Sequence, residues 1–154
     1  MTSPQLGLAT VVDDFVAAFN DNDLDRVMSF FADDAEYRPG DGAVHRGRAA
    51  IRAELAPQFA GRYGVMRFDV YDQLVDEPRR RVAIRWACRI DITGARGRSV
   101  PAGLRLLGRL RYGTRMRWHG MDVFHFDAAG AMVGKYSYAN FRIPPMERDP
   151  EPAW

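Results

Sequence analysis

The side chains of this chain that could do chemistry are few, and most sit in segments of alternating apolar character. Arg89-Ile90-Asp91 places a guanidinium and a carboxylate two residues apart, so that in an extended strand both point to one side and hold each other charged. Asp122 stands in Met121-Asp122-Val123-Phe124-His125-Phe126, where Phe124 and Phe126 share its strand face and give it an apolar setting. Lys135 and Ser137 share one face of a last strand, with Tyr138 and Asn140 on the other. If these strands are neighbours, Asp122, Arg89, Asp91, Ser137 and Lys135 converge on one apolar pocket, with Tyr37 at its rim and Trp86 and Trp118 as candidate ligand contacts. Two carboxylates in such a pocket divide the work: one stays ionised beside Arg89 and the other is favoured as the neutral acid, as general acid/base catalysis requires. The competing reading of Arg89 and Asp91 is a structural ion pair that satisfies two charges the strand places together.

These residues need strands to line them up and helices to cover them. Apolar residues at Val11, Val12, Phe15, Ala18 and Phe19 have the spacing of one buried helical stripe, ending near Asn20. Asp23 can cap a second helix carrying Leu24, Val27, Met28, Phe30 and Phe31. Ala35 to Arg38 and Ala43 to Arg46 read as a small hairpin around Pro39-Gly40-Asp41-Gly42. Helical spacing returns through Ile51, Leu55 and Phe59, with Pro57 expected to end the regular part. After Gly64 the period changes to two: Val65 to Val75, Arg81 to Ile92, Met116 to Phe126 and Met132 to Phe141 read as strands with turn chemistry between the first pair and the last pair. Helices gathered at one end of the chain and antiparallel strands after them predict an α+β fold. The stretch 93–114, with five glycines and many arginines, fits no plain meander, and Leu104-Arg105-Leu106-Leu107 is compatible with helix or strand. Connections of this length often serve as lids or binding loops.

Composition narrows the function classes. A length of 154 residues, 47% hydrophobic and 12% aromatic, suits one domain with a packed core, placed at residues 1–143 with 144–154 as a loosely ordered tail. The net charge is only +2 with both signs interspersed, so no global field argues for nucleic acid. A nucleic-acid or phosphate role for the arginines at 96, 98, 105, 109, 111, 115 and 117 is disfavoured, and Arg105, Arg109 and Arg111, alternating with leucines, read instead as an amphipathic lid or a solvated face. Lys135 is the only lysine, a bias that reads first as codon usage. Cys88 is the only cysteine, and no segment approaches a membrane span or a secretory leader, so a cytoplasmic protein is expected. His45, His119 and His125 lack metal-ligand spacing, and there is no Gly-rich phosphate loop and no Gly-x-Ser-x-Gly elbow, so neither metal nor cofactor is expected.

Three segments together resemble the SnoaL-like and ketosteroid-isomerase-like branch of the nuclear-transport-factor-two-like superfamily. They are Phe30-Phe31-Ala32-Asp33-Asp34-Ala35-Glu36-Tyr37, His45-Arg46-Gly47-Arg48-Ala49-Ala50-Ile51 and Met121-Asp122-Val123-Phe124-His125-Phe126, with Gly130 closing the turn that follows. The resemblance implies a cone: a curved antiparallel sheet of about five to six strands packed on three N-terminal helices around a pocket, and a homodimer through the outer sheet face. It implies that Asp122 donates to a developing enolate oxygen, as the comparable aspartate does in steroid isomerases, a worked case of an apolar site keeping a carboxyl neutral. Phe15 stands where those enzymes have a tyrosine, and Pro39 or its neighbours where they have the aspartate base. Limonene-epoxide hydrolases are also similar: Arg89 and Asp91 match part of their arginine and aspartate set and Tyr37 their water-positioning tyrosine, while Ser137 replaces their final-strand aspartate.

Two functions follow as expectations. The first is a cofactor-free isomerase, cyclase, dehydratase or epoxide hydrolase acting on a small apolar polycyclic, terpenoid or polyketide-like molecule. In it Asp91, oriented by Arg89, removes a proton or activates water, and Asp122 serves the oxyanion. Tyr37 completes the catalytic set, and Phe15, Ser137, Lys135, Trp86, Phe124 and Trp118 contact the substrate. The second is a non-catalytic small-molecule-binding or accessory protein using the same pocket.

Overall fold

The apolar stripe of the N-terminal segment forms α1 (Leu8–Asn20), which buries Leu8, Val12, Phe15 and Ala18. Asn20, the last residue of α1, ties the helix to the sheet. Its amide donates to Phe68 O at 2.9 Å and accepts from Phe68 N at 2.7 Å, so one side chain satisfies both backbone groups of a strand residue. Asp23 caps α2 (Leu24–Ser29) as expected, its carboxylate accepting from Arg26 N at 3.0 Å. The third helix, α3 (Arg48–Phe59), buries Ile51, Leu55 and Phe59 on one stripe. Pro57 lies inside it and does not end it, since the helix runs on to Phe59.

The computed structural model describes residues 7–94, 99–139 and 147–148. Its strands are β1 (Phe31–Arg38), β2 (His45–Arg46), β3 (Val65–Asp76), β4 (Arg81–Asp91), β5 (Arg115–Phe126), β6 (Met132–Tyr138) and β7 (Glu147–Arg148). They form one curved, unclosed sheet in the order β2-β1-β6-β5-β4-β3, with β7 paired to β5 beside that path. The architecture is the α+β one expected. The pairs are antiparallel except β1 and β6, which run parallel and bring Tyr37 beside Lys135.

One boundary differs from the sequence reading, and two further segments are placed by the structure. Phe31 opens β1 instead of continuing the second helix, because its backbone pairs with Met132 of β6. The ambiguous stretch contains a fourth helix, α4 (Ala102–Tyr112), none of whose residues is buried. In the expected tail, residues 147–148 pair with Met116 and Arg117 of β5. The remainder of that tail, the expected roles of Asn140, Arg96 and Arg98, and the first six residues lie outside the described residues.

The core lies between the helices and the inner sheet face. Phe15 stands at its centre, meeting Phe19, Phe30, Phe31 and Phe124 edge-on at centroid distances of 5.1 to 5.9 Å. Cys88 is wholly buried, and burial pushes its thiol up to about 12, so it is an inert core residue. Among the described residues no helix is long and apolar enough to cross a membrane.

Candidate functional site

The pairing register decides which side chains meet. Asp122 of β5 faces Ser137 of β6 on one side and Ile84 of β4 on the other, Phe124 faces Lys135, and Lys135 faces Tyr37 of β1. Side chains of directly paired residues share a sheet face. Tyr37, Lys135, Ser137 and Asp122 therefore cluster on the inner face, all four buried. Above them opens a cavity of about 820 Å³.

Lys135 organises the cluster. Its Nζ is 2.9 Å from Asp122 Oδ2 and donates to Ser137 Oγ at 2.9 Å. It also stands 4.9 Å from the ring centroid of Tyr37 and 5.8 Å from that of Phe124, within cation–π range of both. Asp122 is thus held by one oxygen only. Its Oδ1 is buried without a hydrogen-bond partner among the described residues, although the residue lines the cavity. A buried carboxylate oxygen left without a hydrogen bond is costly, and a polar atom of a ligand in the cavity would satisfy it. Trp86 repeats the pattern: it lines the cavity and its buried indole N–H has no partner among the described residues.

Tyr37 is the donor of the cluster. Burial, and after it the Asp122 charge, push its hydroxyl well above the ordinary phenol value, while its hydrogen bond with Ser137 pulls the other way. It stays protonated throughout the physiological range. A carboxylate oxygen without a partner and a phenol that holds its proton are a base and a donor in one apolar site.

The walls are apolar. Phe15, Phe19, Met66, Phe68, Ile84, Trp86, Ile90 and Trp118 line the cavity from α1, β3, β4 and β5. Leu104, Leu107, Gly108, Arg111 and Tyr112 of α4 close one side, and Asp41, Glu54 and Arg62 supply charge at the lining. The α4 spacing of three and four residues was present in the sequence as a helical stripe, which could have identified that wall.

Of the expected site residues, Asp122, Tyr37, Phe15, Ser137, Lys135, Trp86 and Trp118 all line this cavity. Arg89 and Asp91 do not. They share a strand face, as expected, but it is the outer one: Ile84, which faces Asp122, puts the even-numbered side chains of β4 inside. Arg89 lies 3.6 Å from Asp69 of the neighbouring strand. Asp91 Oδ1 accepts from Thr93 N at 2.7 Å and from Thr93 Oγ1 at 2.5 Å, closing the end of β4. The expected pairing of Asp91 with Asp122 is therefore replaced on the inner sheet face by Asp122 and Lys135. Phe124 is also displaced from its expected role: it packs behind the cavity wall against Phe15 without lining it.

The model of the SnoaL-like domain matches residues 12–134. No curated protein sequence matches the chain. Several solved structures share its fold. The epoxide hydrolase/cyclase-like enzyme SalBIII, of pyran ring formation in the polyether salinomycin, has a TM-score of 0.65 at 17% identity over 85% of this chain and 88% of its own. A Mycobacterium tuberculosis protein in complex with estradiol-17beta-hemisuccinate has a TM-score of 0.66 at 13% identity, over 90% of this chain and 98% of its own. A candidate polyketide cyclase of Xanthomonas campestris pv. campestris has a TM-score of 0.63 at 19% identity, over 88% and 91%.

Proposed function

The chain belongs to the SnoaL-like domain family, and from that premise we propose that it is a cofactor-free proton-transfer enzyme of the isomerase or cyclase type. Its substrate is a small apolar molecule of polycyclic or polyketide-like build. The observation that carries this reading is Asp122: Oδ2 is fixed by Lys135, while Oδ1 is buried, without a partner among the described residues, and part of a residue facing the cavity. Oδ1 takes a proton from a carbon acid and returns it at another position. Lys135 orients the carboxylate, and the Tyr37 hydroxyl donates to the oxygen on which charge develops, a preorganised donor in a site of low dielectric. The Trp86 N–H offers a second anchor for a polar atom of the ligand. A cavity of about 820 Å³ suits a ligand of several fused rings or its open-chain precursor. The solved relatives that act on a polyether precursor or bind a steroid derivative support that size class.

The test uses nitrobenzisoxazole, an apolar carbon acid whose ring opens on proton abstraction with a colour change. Wild type opens the ring with saturation, Asp122→Asn loses about 10²-fold or more in kcat/KM, and Asp91→Asn, on the outer face, retains the wild-type rate. Equal rates in wild type and Asp122→Asn would remove the base from its role.

A further inference from the structure

Lys135 is the only lysine of the chain; every other strongly basic side chain is an arginine. It is also buried, on the floor of the cavity, in contact with Asp122 and Ser137. A composition that uses arginine throughout, at the surface ion pairs and at Arg89 alike, departs from it at this one position. A purely electrostatic partner for Asp122 would be served by arginine, whose planar fork binds a carboxylate through two parallel bonds and keeps its charge. What lysine has and arginine lacks is a nitrogen that gives up a proton and becomes a nucleophile.

We propose that Lys135 is a covalent nucleophile that captures an apolar ketone or aldehyde in this cavity as a Schiff base. The inference rests on the reading of the cavity as a reaction site, and it names the substrate class: a carbonyl compound. The steps balance without an oxidant or reductant. The Lys135 ammonium passes a proton to Asp122, and the freed Nζ adds to the carbonyl carbon. The carbonyl π pair moves to oxygen, which the Tyr37 hydroxyl stabilises and which then takes one proton from the new ammonium nitrogen. The carbinolamine that results accepts the proton held by Asp122 on its hydroxyl, loses water and leaves a carbon–nitrogen double bond to Nζ. The positive charge of that iminium makes the adjacent C–H acidic, and the Asp122 carboxylate, 2.9 Å from Nζ through Oδ2 and with Oδ1 unpartnered, takes the proton to give an enamine. The enamine carbon then attacks a second carbonyl of the same molecule, or is reprotonated elsewhere. Addition of water releases the product and returns the amine.

Because the chain has one lysine, peptide mapping separates an adduct at Lys135 from one at the N-terminal amine. Full-length protein is incubated with naphthaldehyde and cyanoborohydride, and the reduced adduct is followed by intact mass and peptide mapping. The expected result is one adduct at Lys135, absent in Lys135→Arg, forming at least about tenfold faster than on N-acetyl-lysine amide under the same conditions. An adduct at Lys135 no faster than on the model amine, or modification confined to the N-terminal amine, overturns the proposal. The rate comparison needs only the wild-type protein, so it stands even if Lys135→Arg fails to fold. Asp122-dependent ring opening of nitrobenzisoxazole without a Lys135 adduct leaves the acid/base reading and removes the nucleophile. A fast Lys135 adduct without ring opening does the reverse.

Discussion

Lys135 and Asp122 are diagonal neighbours across the β5–β6 ladder. Ser137 is the residue that faces Asp122 and Phe124 the one that faces Lys135, yet Nζ stands 2.9 Å from Asp122 Oδ2 with both side chains buried. The long lysine stem spans the offset and threads between the Tyr37 and Phe124 rings. Breaking such a pair leaves a charge in an apolar setting without its partner. Lys135→Met and Asp122→Leu are each expected to lower the free energy of unfolding by about 3–5 kcal/mol. The double variant, which buries no charge, recovers most of the loss. Urea unfolding of the four proteins checks this; losses that simply add would show that the two charges are not coupled.

Trp86 reaches the cavity only because position 120 is glycine. The two residues face each other across β4 and β5, and a Cβ at 120 would stand 2.4 Å from the Cζ2 and Cη2 atoms of the indole. Gly120→Ala must displace the ring, at a cost of about 1–3 kcal/mol for overpacking a filled site. The displaced indole moves into the space that the ligand needs. Both a lower melting temperature and weaker binding of an apolar probe dye are expected, and an unchanged melting temperature would contradict the contact.

Part of the candidate site was legible in the sequence. Asp122, Lys135 and Ser137 follow from strand parity alone, since residues two apart share a face and the flanking Phe124 and Phe126 mark that face as apolar. The misplacement of Arg89 and Asp91 has a local cause. Parity says that they share a face but not which one, and the apolar even-numbered run Ile84, Trp86, Cys88 and Ile90 was the signal that the odd-numbered face is the wet one. One feature had no local signature and another had a mixed one. The parallel pairing of β1 with β6 joins Tyr37 to Lys135 across nearly a hundred residues, and no short-range pattern encodes it. The α4 helix carries Gly103 and Gly108 in its interior, which lowers its intrinsic propensity and left strand and helix equally plausible.

His125 gives the fold a pH dependence of known sign. It faces Arg81 across the β4–β5 ladder and lies 4.9 Å from the Tyr136 ring on the outer face. Burial first, and the Arg81 charge second, lower its pKa from the usual 6.5. The unfolded chain therefore binds a proton at a higher pH than the folded one. The stability contribution is fully present above 6.5 and is lost as the pH falls from there through the lowered folded value. His125→Gln is expected to flatten the melting temperature across that window, while the wild type declines on its acid side. Identical pH profiles in the two proteins would assign the decline to the carboxylates.

The α4 helix should open before the rest of the fold does. Leu104 and Leu107 line the cavity yet are each 63% exposed, and no residue of the helix is buried, so little apolar contact opposes local unfolding. Its close approach to the sheet is at Gly108, where a Cβ would meet Met116 Cε at 3.7 Å and Ile92 Cδ1 at 3.9 Å, ordinary van der Waals distances. Alanine fits there without strain and removes the backbone-entropy cost of a helical glycine, about 0.8–1.0 kcal/mol. Gly108→Ala should therefore slow amide hydrogen exchange in residues 102–112 by about fourfold while leaving exchange in β4 and β5 unchanged, because only the local opening becomes rarer. A ligand that fills the cavity and meets Leu104 and Leu107 should protect the same amides further. Uniform slowing across the whole chain would mean instead that α4 unfolds only with the sheet, and the helix would then be a fixed wall of the cavity and not its door.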